Sequence, residues 1–144
     1  MNKEKVLLKN YLGKTDAKLL ALEVPVGLSK NWGPNAQTRY IDGVSLFKQE
    51  RNEEQDTKVL RLGYEDFNSL IKTNSFEKAE LIEVKRKLNR PVIGQVIAGK
   101  VMFKKDYPEV DRIDMIVVCS GADSALLEVC EKLDIRVIQI NKVK

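Results

Sequence analysis

Residues 113–140 read IDMIVVCSGADSALLEVCEKLDIRVIQI. Residues 113–120 form a nearly continuous apolar run, the pattern of a central strand covered on both faces. Residues 122–133, ADSALLEVCEKL, bring Leu126, Leu127, Cys130 and Leu133 to one side of a helix. Residues 135–140, IRVIQI, return as a strand. Upstream, VIGQVIAGKVMF (92–103) follows Pro91, a residue suited to a first helical turn. Its apolar set is Val92, Ile93, Val96, Ile97, Val101 and Met102. Before it, AELIEVK (79–85) alternates as a strand, with Leu81, Glu83 and Lys85 on one face and Ile82 and Val84 on the other. The second half therefore reads β-α-β-α-β, which predicts an α/β layering with a sheet that is at least partly parallel.

The first half is less regular. KEKVLLKNYL (3–12) predicts a short amphipathic helix stopped at Gly13. AKLLALEVPV (17–26) starts like a helix and ends like an edge strand, where Pro25 is tolerated. GLSKNWGPNAQT (27–38) is a loop by composition. RYIDGVSLF (39–47) is a strand, with Tyr40, Asp42, Val44 and Leu46 on one face and Ile41, Gly43, Ser45 and Phe47 on the other. The polar stretch 48–57 is a solvated loop or turn, KVLRL (58–62) a small strand and YEDFNSLIKT (64–73) a short helix.

The chain has 144 residues, the size of one domain, and no repeat or linker divides it. Its formal charge of +4 suits a polyanionic partner without requiring one. It contains no histidine, which excludes Ser-His-Asp chemistry and any metal site built on imidazole. The two cysteines, Cys119 and Cys130, are too few for a four-thiolate zinc site and read as reduced core thiols. Catalysis would have to run on carboxylates, lysine, hydroxyls or an oxygen-liganded metal. The charged N-terminus and the lack of any long apolar run predict a cytoplasmic protein that does not enter membranes.

Glu83 and Lys85 stand two residues apart on one strand face, and Asp42 lies on an earlier strand that could pair beside it. Paired carboxylates are natural ligands for Mg²⁺, which keeps part of its water shell and bridges to phosphate. From Lys85 to Lys105 seven residues are basic (Lys85, Arg86, Lys87, Arg90, Lys100, Lys104 and Lys105) and none is acidic. Such a stretch beside a metal site suits a phosphodiester backbone. Arg86, Lys87 and Arg90, nearest the acids, are the expected phosphate contacts.

Asp42 in YIDGV followed by Glu83-Val84-Lys85 resembles the D…ExK signature of the PD-(D/E)xK nuclease superfamily. Gln95 resembles the trailing glutamine of its exonuclease-like branch, and residues 116–140 look like the last β-α-β unit of that fold. The resemblance spans residues 20–140. It implies a restriction-endonuclease-like mixed sheet flanked by helices, in a single domain 1–144, and a nuclease dependent on Mg²⁺ or Mn²⁺. Asp42, Glu83 and the Val84 carbonyl would be ligands, with Glu23 as a further candidate. Lys85 would orient or activate water, and Gln95 would support the site. The partner implied is nucleic acid, DNA ahead of RNA, and a homodimer would allow both strands to be cut. The sequence departs from the pattern in having Ile41 before the aspartate, Gly99 where a tyrosine is common, and a long span between the two acids. Residues 48–78 would then be an insertion that leaves the strand pairing intact. The alternative is a nuclease-like fold without catalysis that binds nucleic acid or acts as a scaffold.

Other readings of the same residues stay open. Asp42-Gly43 is also a hairpin-turn dipeptide, and an exposed Glu-Lys pair can be a surface ion pair worth little. Trp32 could stack on a base or lid the core. Ser120-Gly121 could hold an anion at the next helix N-terminus.

Overall fold

The computed structural model describes residues 7, 8, 11, 17, 19–48 and 57–140. Six strands form one sheet: β1 (Leu19–Val26), β2 (Arg39–Phe47), β3 (Lys58–Leu60), β4 (Lys78–Val84), β5 (Arg112–Cys119) and β6 (Ile135–Gln139), in the order β3-β1-β2-β4-β5-β6. β4, β5 and β6 are parallel, as the strand–helix alternation predicts. β2 runs antiparallel to both β1 and β4, and β3 is parallel to β1. The sheet is therefore mixed. Besides the helical residues Leu7, Leu8 and Tyr11, three helices are bounded within the described residues: α1 (Tyr64–Thr73), α2 (Arg90–Asp106) and α3 (Ser124–Lys132).

The helical layer covers one face. Over β1, β2 and β4, α1 contributes Phe67 and Ile71 and α2 contributes Phe103, packed with Val24, Ile41, Val44, Leu46 and Leu81. The Phe67 and Phe103 rings each lie 4.9 Å from that of Tyr107, joining the two helices. Over β5 and β6, α2 contributes Val92, Ile93 and Val96 and α3 contributes Cys130. α2 thus spans both clusters. The opposite face is covered by Leu7 and Tyr11 against Leu20, Ile82, Ile116 and Val118. Glu80 is buried there, accepting from the Tyr11 hydroxyl at 3.3 Å and pairing with Arg136 at 2.6 Å.

Helix starts follow local chemistry. The Asn89 side chain caps α2 by accepting from the Val92 N–H, with Pro91 in the first turn, and Asp123 caps α3 through the Leu126 N–H; each cap is worth about 1 kcal/mol. Two details of the apolar stripes differ from expectation. The inward row of α2 is Val92, Val96, Gly99 and Phe103, at helical spacing, so Val101 points out and is 63% exposed. Leu133 follows the last turn of α3 and is exposed, because the chain turns away at Asp134, whose φ is +59°.

Residues 19–26 are strand, not helix. β1 is interior at Leu19–Ala21, between β3 and β2, but β3 stops there, so Pro25 lies where the outer side has no strand partner. Between the two site strands, β3 extends the sheet and α1 fills the core, and the β2–β4 pairing is kept. Of the expected N-terminal helix, Leu7, Leu8 and Tyr11 are helical and the rest lies outside the described residues, as do 49–56. Cys119 and Cys130 are buried free thiols, and burial raises the pKa of both.

Candidate active site

The site lies where β2 and β4 part. Their ladder runs from Phe47↔Lys78 to Gly43↔Ile82 and stops. The Lys85 N–H donates to the Val118 carbonyl on β5. Alternation then turns the Val84 N–H and carbonyl toward β2. In a regular ladder the Val84 N–H would meet a β2 carbonyl; here it donates to Asp42 Oδ2 at 2.8 Å. Reciprocally, the Asp42 N–H donates to Glu83 Oε1 at 3.0 Å. Each acid thus accepts from the backbone of the opposite strand, so both side chains are anchored at the apex of the notch where the strands part.

A shift in β1 and β2 sets this up. Alternation would aim the Asp42 N–H at β1, yet it bonds on the β4 side. Across the ladder, between Leu22↔Gly43 and Val24↔Ile41, stands Glu23, with φ +49°. This left-handed residue breaks the register of facing sides, as a bulge does. Leu19 and Ala21 face the helical layer before it, and Val24 and Val26 face the same layer after it. On β2, Ile41 joins Val44 and Leu46 instead of facing away from them, which corrects the face assignment made from simple alternation. Gly43 faces the other layer, where a Cβ would meet Leu20 and Leu8.

Glu83 is 7% exposed and Asp42 half-buried. Lys85 leaves β4 on the Glu83 side and is exposed. The Val84 carbonyl is turned to the same gap as the Asp42 carboxylate. Two carboxylates and one carbonyl are hard oxygen donors, the ligand type that Mg²⁺ and Mn²⁺ take. Among the described residues no group of three or more Asp, Glu, His or Cys is arranged to hold a metal ion. Glu23 lies level with Asp42 across the ladder, but its carboxylate pairs with Arg61 at 3.4 Å on the exposed surface. Gln95 is exposed on α2, one turn before Gly99, which passes over Ile41.

Arg86, Lys87 and Arg90 are all exposed and stand at the same end of the sheet, beyond the C-terminus of β4. The segment is held firmly. The Arg86 carbonyl accepts from the Ser120 and Gly121 N–H groups at 3.0 Å and from the Ser120 hydroxyl at 2.8 Å. The Ser120-Gly121 turn therefore serves the basic segment rather than an anion. Trp32 is half-buried: its Nε1–H donates to Asp106 at 2.6 Å and the Lys105 ammonium lies 4.4 Å from its ring. Asp106, which no sequence pattern singled out, also accepts from the Gly27 and Ser29 N–H groups and so pins the 27–38 loop.

No protein-family model, curated protein or solved structure matches the chain. Its class is defined by the coordinates alone: a mixed α/β sheet with α1, α2 and α3 on one face, helical Leu7 and Tyr11 on the other, and two acids at a strand divergence. Among the described residues no helix is long and apolar enough to cross a membrane.

Proposed function

We propose that the chain is a metal-dependent nuclease of the PD-(D/E)xK type with a restriction-endonuclease-like fold, acting on DNA in preference to RNA. The observation that carries this reading is the pair of hydrogen bonds across the end of the β2–β4 ladder, from the Asp42 N–H to the Glu83 carboxylate and from the Val84 N–H to the Asp42 carboxylate. Asp42, Glu83 and the Val84 carbonyl would hold Mg²⁺ or Mn²⁺. Such an ion supplies Lewis acidity, acidifying an attacking water and offsetting charge that grows on the phosphate. Lys85 orients that water or adds positive charge beside it. Gln95, at the start of α2, supports the site from the helical layer. Arg86, Lys87 and Arg90 bind the phosphate backbone.

The test compares wild type with Asp42→Asn, Glu83→Gln and Lys85→Ala on labelled DNA in Mg²⁺, Mn²⁺ or EDTA. The amide variants keep an acceptor for each backbone N–H, so they remove charge and leave the notch in place. Cleavage that requires the metal and falls at least about 100-fold in each variant is expected. Equal digestion by wild type and variants would sink the proposal.

The same two bonds support a second reading, in which the acids serve only to satisfy backbone donors where the strands part. The chain would then be a basic binding domain. Its DNA binding would be salt-sensitive, indifferent to Mg²⁺ and to Glu83→Gln, and weakened by neutralising Arg86, Lys87 and Arg90.

A further inference from the structure

Basic side chains stand on both sides of the two acids. Beyond β4 are Lys85, Arg86, Lys87 and Arg90, all exposed. On the other side, β1 ends and β2 begins at this same end of the sheet, because β2 residues before Gly43 lie level with those after Ile82 on β4. The joining loop, 27–38, carries exposed Lys30, leads into exposed Arg39 and contains no acidic residue.

This loop is held on the sheet face that Glu83 and Lys85 share. Ile82 and Val84 face the layer of Leu7 and Tyr11, so Glu83 faces the side of α2. Arg39 pairs with Val26, which packs in the cluster of Phe103, so Arg39 faces the α2 side as well. Gln95, Met102 and Asp106, spaced by seven and four residues, share one flank of α2. A Cβ at Gly27 would meet the Met102 methyl, and Asp106 holds the loop, so this flank faces the end of the sheet where the acids lie. Asp106 accepts from the Ser29 N–H at 3.2 Å and from the Trp32 indole, and the Trp32 N–H donates to the Ser29 carbonyl. The turn that carries Lys30 is therefore fixed at both ends. Lys105 is exposed beside it, with its ammonium 4.4 Å from the Trp32 ring.

We infer that loop 27–38 with the end of α2 is a second nucleic-acid contact, in which Lys30, Arg39 and Lys105 take phosphates on the far side of the acids from Arg86, Lys87 and Arg90. The reacting phosphate is then held from both directions. This rests on the nuclease reading of Asp42 and Glu83 and adds to it the element that grips the other arm of the substrate. The distance argues for a polymer. From β1 to β5 the sheet spans three strand intervals, about 14 Å. One phosphate cannot touch both basic groups, whereas successive phosphates, about 3.4 Å apart along each strand of a duplex, can. Contacts of this kind position the chain and carry no sequence preference. Asp106 acts as a positioning residue: it fixes where the loop presents its charges.

The experiment measures fluorescence anisotropy of a labelled DNA duplex and of one of its strands, in EDTA so that no cleavage is needed, over about 50–200 mM salt. Wild type is compared with the double variant Lys30→Ala/Lys105→Ala, with Arg39→Ala and with Lys72→Ala, each checked by circular dichroism. The double variant should bind about tenfold more weakly and lose about 2 from the slope of log affinity against log salt; Arg39→Ala should lose about 1. Lys72 is exposed in the last turn of α1, which leads to the opposite end of the sheet, so its variant should stay within about twofold of wild type. Emission of Trp32, the single tryptophan, should change as DNA is added. Wild-type affinity and slope in the double variant, an equal loss in Lys72→Ala, unchanged Trp32 emission, or no binding by wild type overturns the inference. Cleavage assays on the same proteins separate the two ideas. Metal-dependent cutting that ignores Lys30, Arg39 and Lys105 removes the second contact and leaves the nuclease. Binding that depends on them without any cutting removes the nuclease and leaves the contact.

Discussion

Replacing Asp106 by Asn should unseat the loop that leads into β2. Asp106 closes α2, is 4% exposed, and accepts three N–H groups from the loop after β1: Gly27, Ser29 and the Trp32 indole. Asn has nearly the same size but only one accepting oxygen, and its amide nitrogen would face a donor. Hydrogen bonds to a charged acceptor are worth about 1.5–3 kcal/mol each, and an orphaned buried donor costs about 1–3 kcal/mol. Losing at least one bond and weakening the others therefore costs about 3–5 kcal/mol, a large part of the 5–15 kcal/mol typical of a domain. With a urea dependence of about 2 kcal/mol per molar, the unfolding midpoint should fall by about 2 M. Trp32 is the single tryptophan of the chain, so its emission reports the loop while far-ultraviolet circular dichroism reports the sheet and helices. Tryptophan emission should shift red in the variant before urea is added. A midpoint lowered by less than about 0.3 M, with unchanged emission, would refute the assignment of Asp106 as the anchor.

Two other outcomes follow from the packing. Tyr107 is fully buried and its hydroxyl donates to the Pro25 carbonyl at 2.6 Å; burial, then Asp106, then Tyr64 push its pKa far above the ordinary 10.0. The folded state thus holds a proton that the unfolded chain releases, so stability is full below about pH 10 and declines above it, by up to about 1.4 kcal/mol per pH unit. Urea midpoints between pH 8 and 11 should show this slope, and Tyr107→Phe should flatten it. At Gly99 a Cβ would meet the Ile41 side chain at 3.6 Å, an ordinary contact. Gly99→Ala should therefore gain helix propensity, about 0.5–1 kcal/mol, in the same titration, and a loss above about 1 kcal/mol would show that the α2–β2 approach is tighter than described.

Periodicity carried most of the architecture. The buried run at 113–120, the helical patterns after Pro91 and over 122–133 and the alternation at 79–85 each translate into the element they suggest, because local pattern and final environment agree there. Short non-local events escaped it. Glu23 is not a residue type that announces a left-handed backbone, so the change of facing at Glu23 and Asp42, and with it the inward turn of Ile41, has no sequence signature. That the strands of Asp42 and Glu83 could pair was expected from the sequence, but the hydrogen bonds that hold the two side chains depend on where those distant strands stop pairing. Asp106 belongs to no sequence pattern; its three donors come from a loop earlier in the chain, at separations of 79, 77 and 74. Val101 was grouped inward and Phe103 was not, because a helix that crosses two clusters shows a broad apolar surface whose edges only packing can decide.

The cluster over β1 and β2 draws on late parts of the chain: Ala79 and Leu81 from β4, Phe103 and Tyr107 from α2 and its cap, and Ile113 from β5. A nascent chain that has emerged only as far as α1 would hold Val44, Leu46 and Phe67 without most of the partners that shelter them. The antiparallel half must therefore wait for α2 to leave the ribosome before it can settle, and until then it presents a sticky surface of the kind chaperones hold.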